Sequence, residues 1–522
     1  MPRLLALCLL LCPLLTWGQV YFNERYQVGS VAPFSSGATQ VELADSGRYL
    51  IGGSCNDPLI PTMRALFLQR VEADGQVVQP SKRWGWPDKS LYPSYAGALF
   101  RVKGGGRAWA VSRGDAASGT HAMLWRLNEQ DDTLWTRTYQ LRTTNLPAYL
   151  VVRNACQLPD SGYVLVGNVE RAPQSFNFDI LVIRTDELGQ ELWRRAYPFL
   201  AYSEGMFVCA TADSGCLVTG FTIRQRAVNP LDMEGVVLKL DHMGDIQWQR
   251  TFGGPYTDMA GPAVPMPDGG YLVSGSWSDS VVPPNYSQAR ATLIKLDQAG
   301  QQQWRRHYGP PRYGTNATCL LPLTDGSFLM GLHGGDTAHA ISRGFAYPVG
   351  VLLNVCANGD SVWYRSYKKL TGGYSHNYFQ DVTVTADGGF VSAGFLFPYA
   401  PDTGTSDAWL FKTDQYGYLQ TGGTVPTVTC RPIGVEEEAL TDPLVIYPNP
   451  NPSGRFILRL PATTHLTVTD ALGRLVYHSP YLGGGGGEDG ETELDLSPQP
   501  PGVYVLRLQW PNGRTATRKL LR

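Results

Sequence analysis

Apolar residues along this chain fall in short runs, and glycine-bearing turns break the runs at a steady interval. One stretch shows the plan: Asp268-Gly269-Gly270, Tyr271-Leu272-Val273-Ser274-Gly275, Leu293-Ile294-Lys295-Leu296-Asp297, then Gly300 and Trp304-Arg305-Arg306-His307-Tyr308. Short apolar runs bounded by Gly, Asp or Ser predict β-strands, and long helical periodicity is absent. The plan returns around Gly162 with Trp193, Gly215 with Trp248, and Gly326 with Trp363. Looser copies surround Gly47 with Trp84 and Gly104 with Trp135, and a seventh begins at Asp387-Gly388-Gly389. The six tryptophans stand 51, 58, 55, 56 and 59 residues apart.

Each repeat parses as four strands, A to D. Tight glycine turns join A to B and C to D, as short hairpins require. The B–C connections are long and irregular: Trp277 to Gln288, Ile223 to Met233, Leu396 to Ser406. Four-stranded units at this period predict a β-propeller. Separate domains of that size, without disulfides or metal, would struggle to bury a core. The seventh repeat has a strand C at Ala408 to Asp414 but no strand D after Gly417. Val20 to Tyr26 supplies the missing strand and would remove the exposed edges.

The expected fold is therefore all-β: a seven-bladed β-propeller over residues 19–424, a linker over 425–441, and a small immunoglobulin-like β-sandwich over 442–522. In the last part, Phe456 to Leu460 and Leu466 to Thr469 alternate at period two. Further β-rich runs lie at Leu475 to Tyr477, Val503 to Leu508 and Thr515 to Leu521, about seven short strands in all.

That C-terminal segment also carries Tyr447-Pro448-Asn449-Pro450, Gly454-Arg455-Phe456 and Asp470-Ala471-Leu472-Gly473-Arg474-Leu475-Val476. It ends in Pro501-Gly502-Val503-Tyr504 and Arg518-Lys519-Leu520-Leu521-Arg522. In order, spacing and position these blocks resemble the C-terminal sorting domain of proteins exported by the type IX secretion system. The resemblance implies passage across the outer membrane, a secreted or cell-surface destination, and the secretion machinery with its sorting peptidase as partners. The N-terminus agrees: Arg3, an apolar run from Leu4 to Leu15, and Thr16-Trp17-Gly18 read as a signal peptide over residues 1–18. No other apolar stretch reaches membrane length, so no transmembrane segment is expected.

A net charge of −2 over 522 residues gives no electrostatic case for nucleic acid. The 58 Gly, 37 Pro, 27 Tyr, 18 Phe and 13 Trp suit short strands and tight turns. Seven cysteines remain beyond the signal peptide, with no CxxC pair and no histidine cluster, so no metal site is expected. Cys209 and Cys216 flank one hairpin and read as small buried hydrophobes rather than a bridge. His333 and His339 read as solvated loop residues.

Asp-x-x-Gly-x-x-x-Trp recurs at Asp186 to Trp193, Asp241 to Trp248 and Asp297 to Trp304. The phrase is similar to the tryptophan-docking repeat of pyrroloquinoline-quinone dehydrogenases. Those have eight units and often an adjacent cysteine pair; this chain has seven and no such pair, so no cofactor is expected. Turn geometry and blade packing account for the spacing. No G-x-S-x-G, H-E-x-x-H or phosphate-loop motif is present.

An aromatic residue precedes the A–B glycine by thirteen positions in five repeats: Phe34, Tyr149, Tyr202, Tyr256 and Tyr313. Tyr92 and Tyr374 lie one position off that spacing. These D–A connections share a propeller face with the B–C loops. Tyr256, Tyr313 and Tyr374, with Trp277, Tyr286 and Tyr399 on the B–C loops, are the candidate binding residues, because aromatic rings bring large contact area at low entropy cost. Packing against the next blade is the competing role. Two functions remain open: a non-catalytic module for an extracellular glycan or protein, or a polysaccharide hydrolase or lyase working at the channel mouth.

Overall fold

The computed structural model describes residues 20–430 and 445–522. Excepted are loop segments at 29–35, 57–62, 141–147, 225–231, 336–346, 448–450, 460–463, 471–474, 483–490 and 510–514 and a few shorter ones. The expected signal peptide, Phe34, His339 and the linker beyond residue 430 lie outside the described residues. The chain divides into two compact units, Met1–Pro432 and Ile433–Arg522. Both are built of antiparallel strands, and the described residues hold one short 3₁₀ turn, Asp45–Gly47.

In the first unit the sequence repeats fold in the strand order A–B–C–D. The first, fifth and sixth repeats are separate four-stranded sheets. The second, third and fourth run together, because strand C of one touches strand A of the next in parallel at Gly119↔Ala148 and Phe178↔Tyr202. Strand A of the second repeat is split into Lys89–Pro93 and Leu99–Arg101. The seventh repeat takes its fourth strand from the N-terminus: Phe22–Tyr26 pairs with Asp407–Thr413 from Phe22↔Lys412 to Tyr26↔Ala408. The fifth repeat departs from expectation. Its strands Tyr271–Val282 and Tyr286–Leu296 pair almost to their tips, so Trp277 and Tyr286 sit in one long hairpin rather than an irregular loop.

The tryptophan repeat is a docking device between repeats. A Cβ built on Gly300, in the C–D turn of the fifth repeat, would lie 2.6 Å from the Trp248 ring of the fourth. In four other repeats a tyrosine four residues after the tryptophan donates its hydroxyl to the corresponding turn-glycine carbonyl. Tyr139 bonds Gly189 O at 2.9 Å, Tyr197 bonds Gly244 O at 2.6 Å, Tyr308 bonds Gly359 O at 2.7 Å and Tyr367 bonds Gly417 O at 2.7 Å. The N-terminal strand repeats the arrangement onto the first repeat, with Phe22 in the tryptophan's place and Tyr26 Oη donating to Gly75 O at 2.8 Å. Trp84 is the exception. It ends its strand D opposite Leu66 and packs on Trp109 and Trp125, so its place in the spacing is coincidental.

A disulfide joins Cys356 in the sixth repeat to Cys430, while Cys55, Cys156, Cys209, Cys216 and Cys319 remain thiols. Burial raises the Cys209 and Cys216 thiols to about 12, as expected of small packed hydrophobes.

In the second unit, Val445–Tyr447, Arg455–Arg459 and Glu491–Asp495 form one sheet. Leu475–Leu482, Thr464–Asp470, Val503–Gln509 and Thr515–Leu521 form the other. Phe456, Leu458 and Leu494 from the first share a buried cluster with Leu466, Val468, Leu506 and Leu520 from the second. Period-two alternation thus buries one face of each sheet.

Candidate functional site

The inner strands of the first unit share an irregularity that builds a hollow. Strand A slips register against strand B at Ala38/Gln40, Val152/Asn154, Gly205/Phe207, Ala260/Ala263, Ala317/Cys319 and Phe379/Asp381. Each slip is a β-bulge, which re-aims the extra residue out of the ladder. The bulged residues Thr39, Arg153, Met206, Gly261, Thr318 and Gln380 all line one of two adjoining cavities. Glycine on strand B makes room for the bulge. A Cβ on Gly167 or Gly394 would stand 1.9 Å from the carbonyl oxygen of Val151 or Tyr378. The second repeat carries Val111 there, opposite Pro93, where its strand A breaks off.

Polar side chains beside the bulges tie neighbouring repeats together. Gln40 Nε2 donates to Ser94 O at 2.9 Å, Ser94 Oγ to Val152 O at 2.9 Å, and Thr219 Oγ1 to Gly261 O at 2.6 Å. Asp381 accepts the Val41 N–H at 3.0 Å across the chain ends and the Val382 N–H at 2.9 Å. Burial nevertheless raises its carboxyl to about 7.

The narrower cavity, about 260 Å³, is walled by Met206, Phe207, Phe221, Met233 and Met259 on one side. Its polar side carries Arg153, paired with Glu204, and His333. The Tyr202 hydroxyl also donates to Glu204, at 2.9 Å. His333 is not a solvated loop residue: it sits buried in strand Ser327–Gly335. With its Nδ1–H donated to Phe379 O at 3.0 Å, burial lowers the imidazole to about 4. It is neutral at pH 7.

The wider cavity, about 640 Å³, shares Arg153 and Gln380 with the narrow one. It is lined by hydroxyls of Thr39, Ser54, Ser94, Ser112 and Thr120, by Arg64, and by the rings of Tyr92 and Phe395. It shares Tyr92 and Thr120 with a groove of about 330 Å³ where Tyr92 and Tyr149 stand exposed. Phe395, also in the lining of the wide cavity, packs at a tilt on Tyr378, 4.8 Å between centroids. Tyr378 opens a run of aromatic contacts through His376 to exposed Tyr399, at 5.4 Å, and through Tyr347 to exposed Tyr374, at 5.2 Å.

The sequence candidates divide accordingly. Tyr374 and Tyr399 are brought together around His376. Trp277 is half-buried under the Arg305 guanidinium, 3.7 Å from its centroid, which is a packing role. Tyr256 is partly buried apart from these rings, and the side chains of Tyr313 and Tyr286 lie outside the described residues. Tyr202 packs on Phe178 and Phe221, so the aromatic series is structural at that position. Tyr92 and Tyr149 belong to the aromatic series but are not among the six candidate residues. Nothing in their spacing distinguishes them; the groove beneath them does.

Residues 445–521 match the secretion system C-terminal sorting domain. The C-terminal unit is a sorting domain. The chain is thereby exported across the outer membrane, to the cell surface or beyond, and its sorting domain engages the type IX machinery. Among the described residues no helix is long and apolar enough to cross a membrane. No curated protein matches the chain. Similar solved structures include an α-L-arabinofuranosidase of Fusarium graminearum, at 10% identity over 75% of this chain and 98% of that one, TM-score 0.42. Others are a Pseudomonas brassicacearum lignostilbene dioxygenase (12%; 74% and 94%; 0.41) and a Dyadobacter fermentans protein of unknown function (10%; 75% and 98%; 0.39).

Proposed function

We propose that residues 20–424 form a closed seven-bladed β-propeller, that residues 442–522 form an immunoglobulin-like sandwich, and that the propeller is a glycan-binding module displayed outside the cell. One observation carries the binding reading: the exposed Tyr92–Tyr149 groove shares Tyr92 and Thr120 with the hydroxyl-lined cavity bounded by Phe395. Rings that stack on sugar faces, beside hydroxyl, amide and guanidinium groups that bond sugar oxygens, are what a saccharide requires. Ring closure is supported by Phe22–Tyr26 and by the Asp381–Val41 bond, which join the two ends of the repeat series. Tyr374 and Tyr399 extend the surface, whereas Tyr256, Tyr313, Trp277 and Tyr286 are secondary positions.

Cleavage is the competing reading. Glycoside hydrolysis generally uses two carboxyl groups about 5–10 Å apart. Among the described residues lining the two cavities, Glu204 is the one carboxylate, held by Arg153 and Tyr202. The test is to screen the exported protein against a polysaccharide panel, following both binding and new reducing ends. Saturable binding without product supports the module; product release overturns it in favour of an enzyme.

A further inference from the structure

We infer that the wide cavity takes an acidic saccharide, its carboxylate or sulfate held between Arg64 and Arg153. The inference deepens the proposed glycan-binding role and rests on it. The charges along the hollow are segregated. Arg64 and Arg153 both line the wide cavity, whereas Glu204 lines only the narrow one and Asp88 and Asp115 line the outer groove. Among the described residues, no carboxylate lines the wide cavity.

Arg64 opens strand Arg64–Val71, where its backbone N–H is fixed on Ser90 Oγ at 3.2 Å. Its guanidinium donates through Nη2 to Ser54 Oγ at 2.9 Å. A hydroxyl satisfies one of five N–H donors and none of the charge. Arg153, the bulged residue of its strand, keeps a side chain 31% exposed while its partner Glu204 is 5% exposed. Glu204 is thus the more buried member of the pair, and Arg153 lines both cavities. Thr39 Oγ1 nearby is buried without a hydrogen-bond partner.

A partly desolvated guanidinium without a counter-charge is costly, and a planar anion restores it with two parallel bonds. Tyr92 and Phe395 flank the same space and supply faces for the sugar ring. A free inorganic anion would use the guanidinium groups and leave these rings idle. The occupant that uses both is an anionic sugar.

The test is calorimetric titration of the exported full chain with polygalacturonate and with the same polymer fully methyl-esterified. Dextran sulfate and dextran form a second pair. The acidic member of at least one pair should bind about tenfold or more tightly than its neutral partner. Which pair discriminates tells carboxylate from sulfate. Arg64→Gln should abolish the difference without moving the thermal midpoint, and Arg64→Lys should restore it in part. Equal binding of acidic and neutral members, or an Arg64→Gln protein that still discriminates, overturns the inference. If only neutral glycans from the wider panel bind, the acidic ligand is wrong and the glycan reading stands. If no glycan binds, both fall.

Discussion

Changing Tyr26 to Phe asks whether the N-terminal strand is a full member of the ring. Its phenol is buried, and burial raises its pKa well above the ordinary tyrosine value. The hydroxyl donates to Gly75 O at 2.8 Å, 49 residues along the chain. Removing it leaves a buried carbonyl unpaired, at a cost of about 1–3 kcal/mol. The structure sets an internal standard, because Tyr308→Phe breaks the same bond, to Gly359 O at 2.7 Å, in the middle of the repeats. The two bonds match in donor, acceptor, length and burial, so each variant should lose about 1–3 kcal/mol. Thermal unfolding of both, beside the parent, is the assay. A loss for Tyr308→Phe with none for Tyr26→Phe would refute the closing role of Phe22–Tyr26. Deleting residues 20–28 should then lower the midpoint further, since it strips the partner from strand Asp407–Thr413 and leaves buried Asp407 without Arg25.

Gly394→Ala should destabilise by roughly 3 kcal/mol or more, because its Cβ would overlap Tyr378 O at 1.9 Å; thermal unfolding reads it, and an unshifted midpoint would refute the bulge reading. His333 is depressed to about 4 in the folded chain against an ordinary 6.5, so the stability it supports is complete above pH 6.5 and drains away between pH 6.5 and 4, by up to roughly 3 kcal/mol. Asp381, raised to about 7, opposes it by losing stability as pH rises toward 7; His333→Gln should therefore flatten the acid limb of a midpoint-versus-pH curve, and an unchanged limb would contradict the burial. Cys430→Ser opens a loop of 74 residues and should cost up to about 4 kcal/mol on the chain-entropy account, read by denaturant unfolding of oxidised protein. Deleting residues 442–522 should strand a folded N-terminal unit in the periplasm, and its recovery outside the cell in parental amounts would contradict the sorting role.

Much of the scaffold is legible in the chain because its signals are local. Turn glycines at Gly162, Gly215 and Gly326 and period-two runs between them fix hairpins without reference to anything distant. The missing strand D after Gly417 points to the N-terminus because a sheet edge must be covered. The hollow is less legible. A bulge at Arg153 or Gln380 depends on how strand A meets strand B, and its sequence trace is only the glycine opposite, Gly167 or Gly394, which also reads as an ordinary strand glycine. Arg64 carries no motif, and its significance comes from what the fold leaves out of its surroundings. Trp277 reads as a loop residue because a long stretch between two strand cores resembles a loop until pairing extends through it. The Cys356–Cys430 bridge joins positions 74 residues apart and leaves no local mark.

A crystal structure of the exported chain with a bound acidic oligosaccharide tests the central claim most directly. The account predicts a sugar ring between Tyr92 and Phe395, its anionic group within hydrogen-bonding distance of Arg64 and the chain leaving past Tyr149. An oligosaccharide seated instead on the glycine-turn face or the outer strands, with the wide cavity holding none of it, would contradict the account.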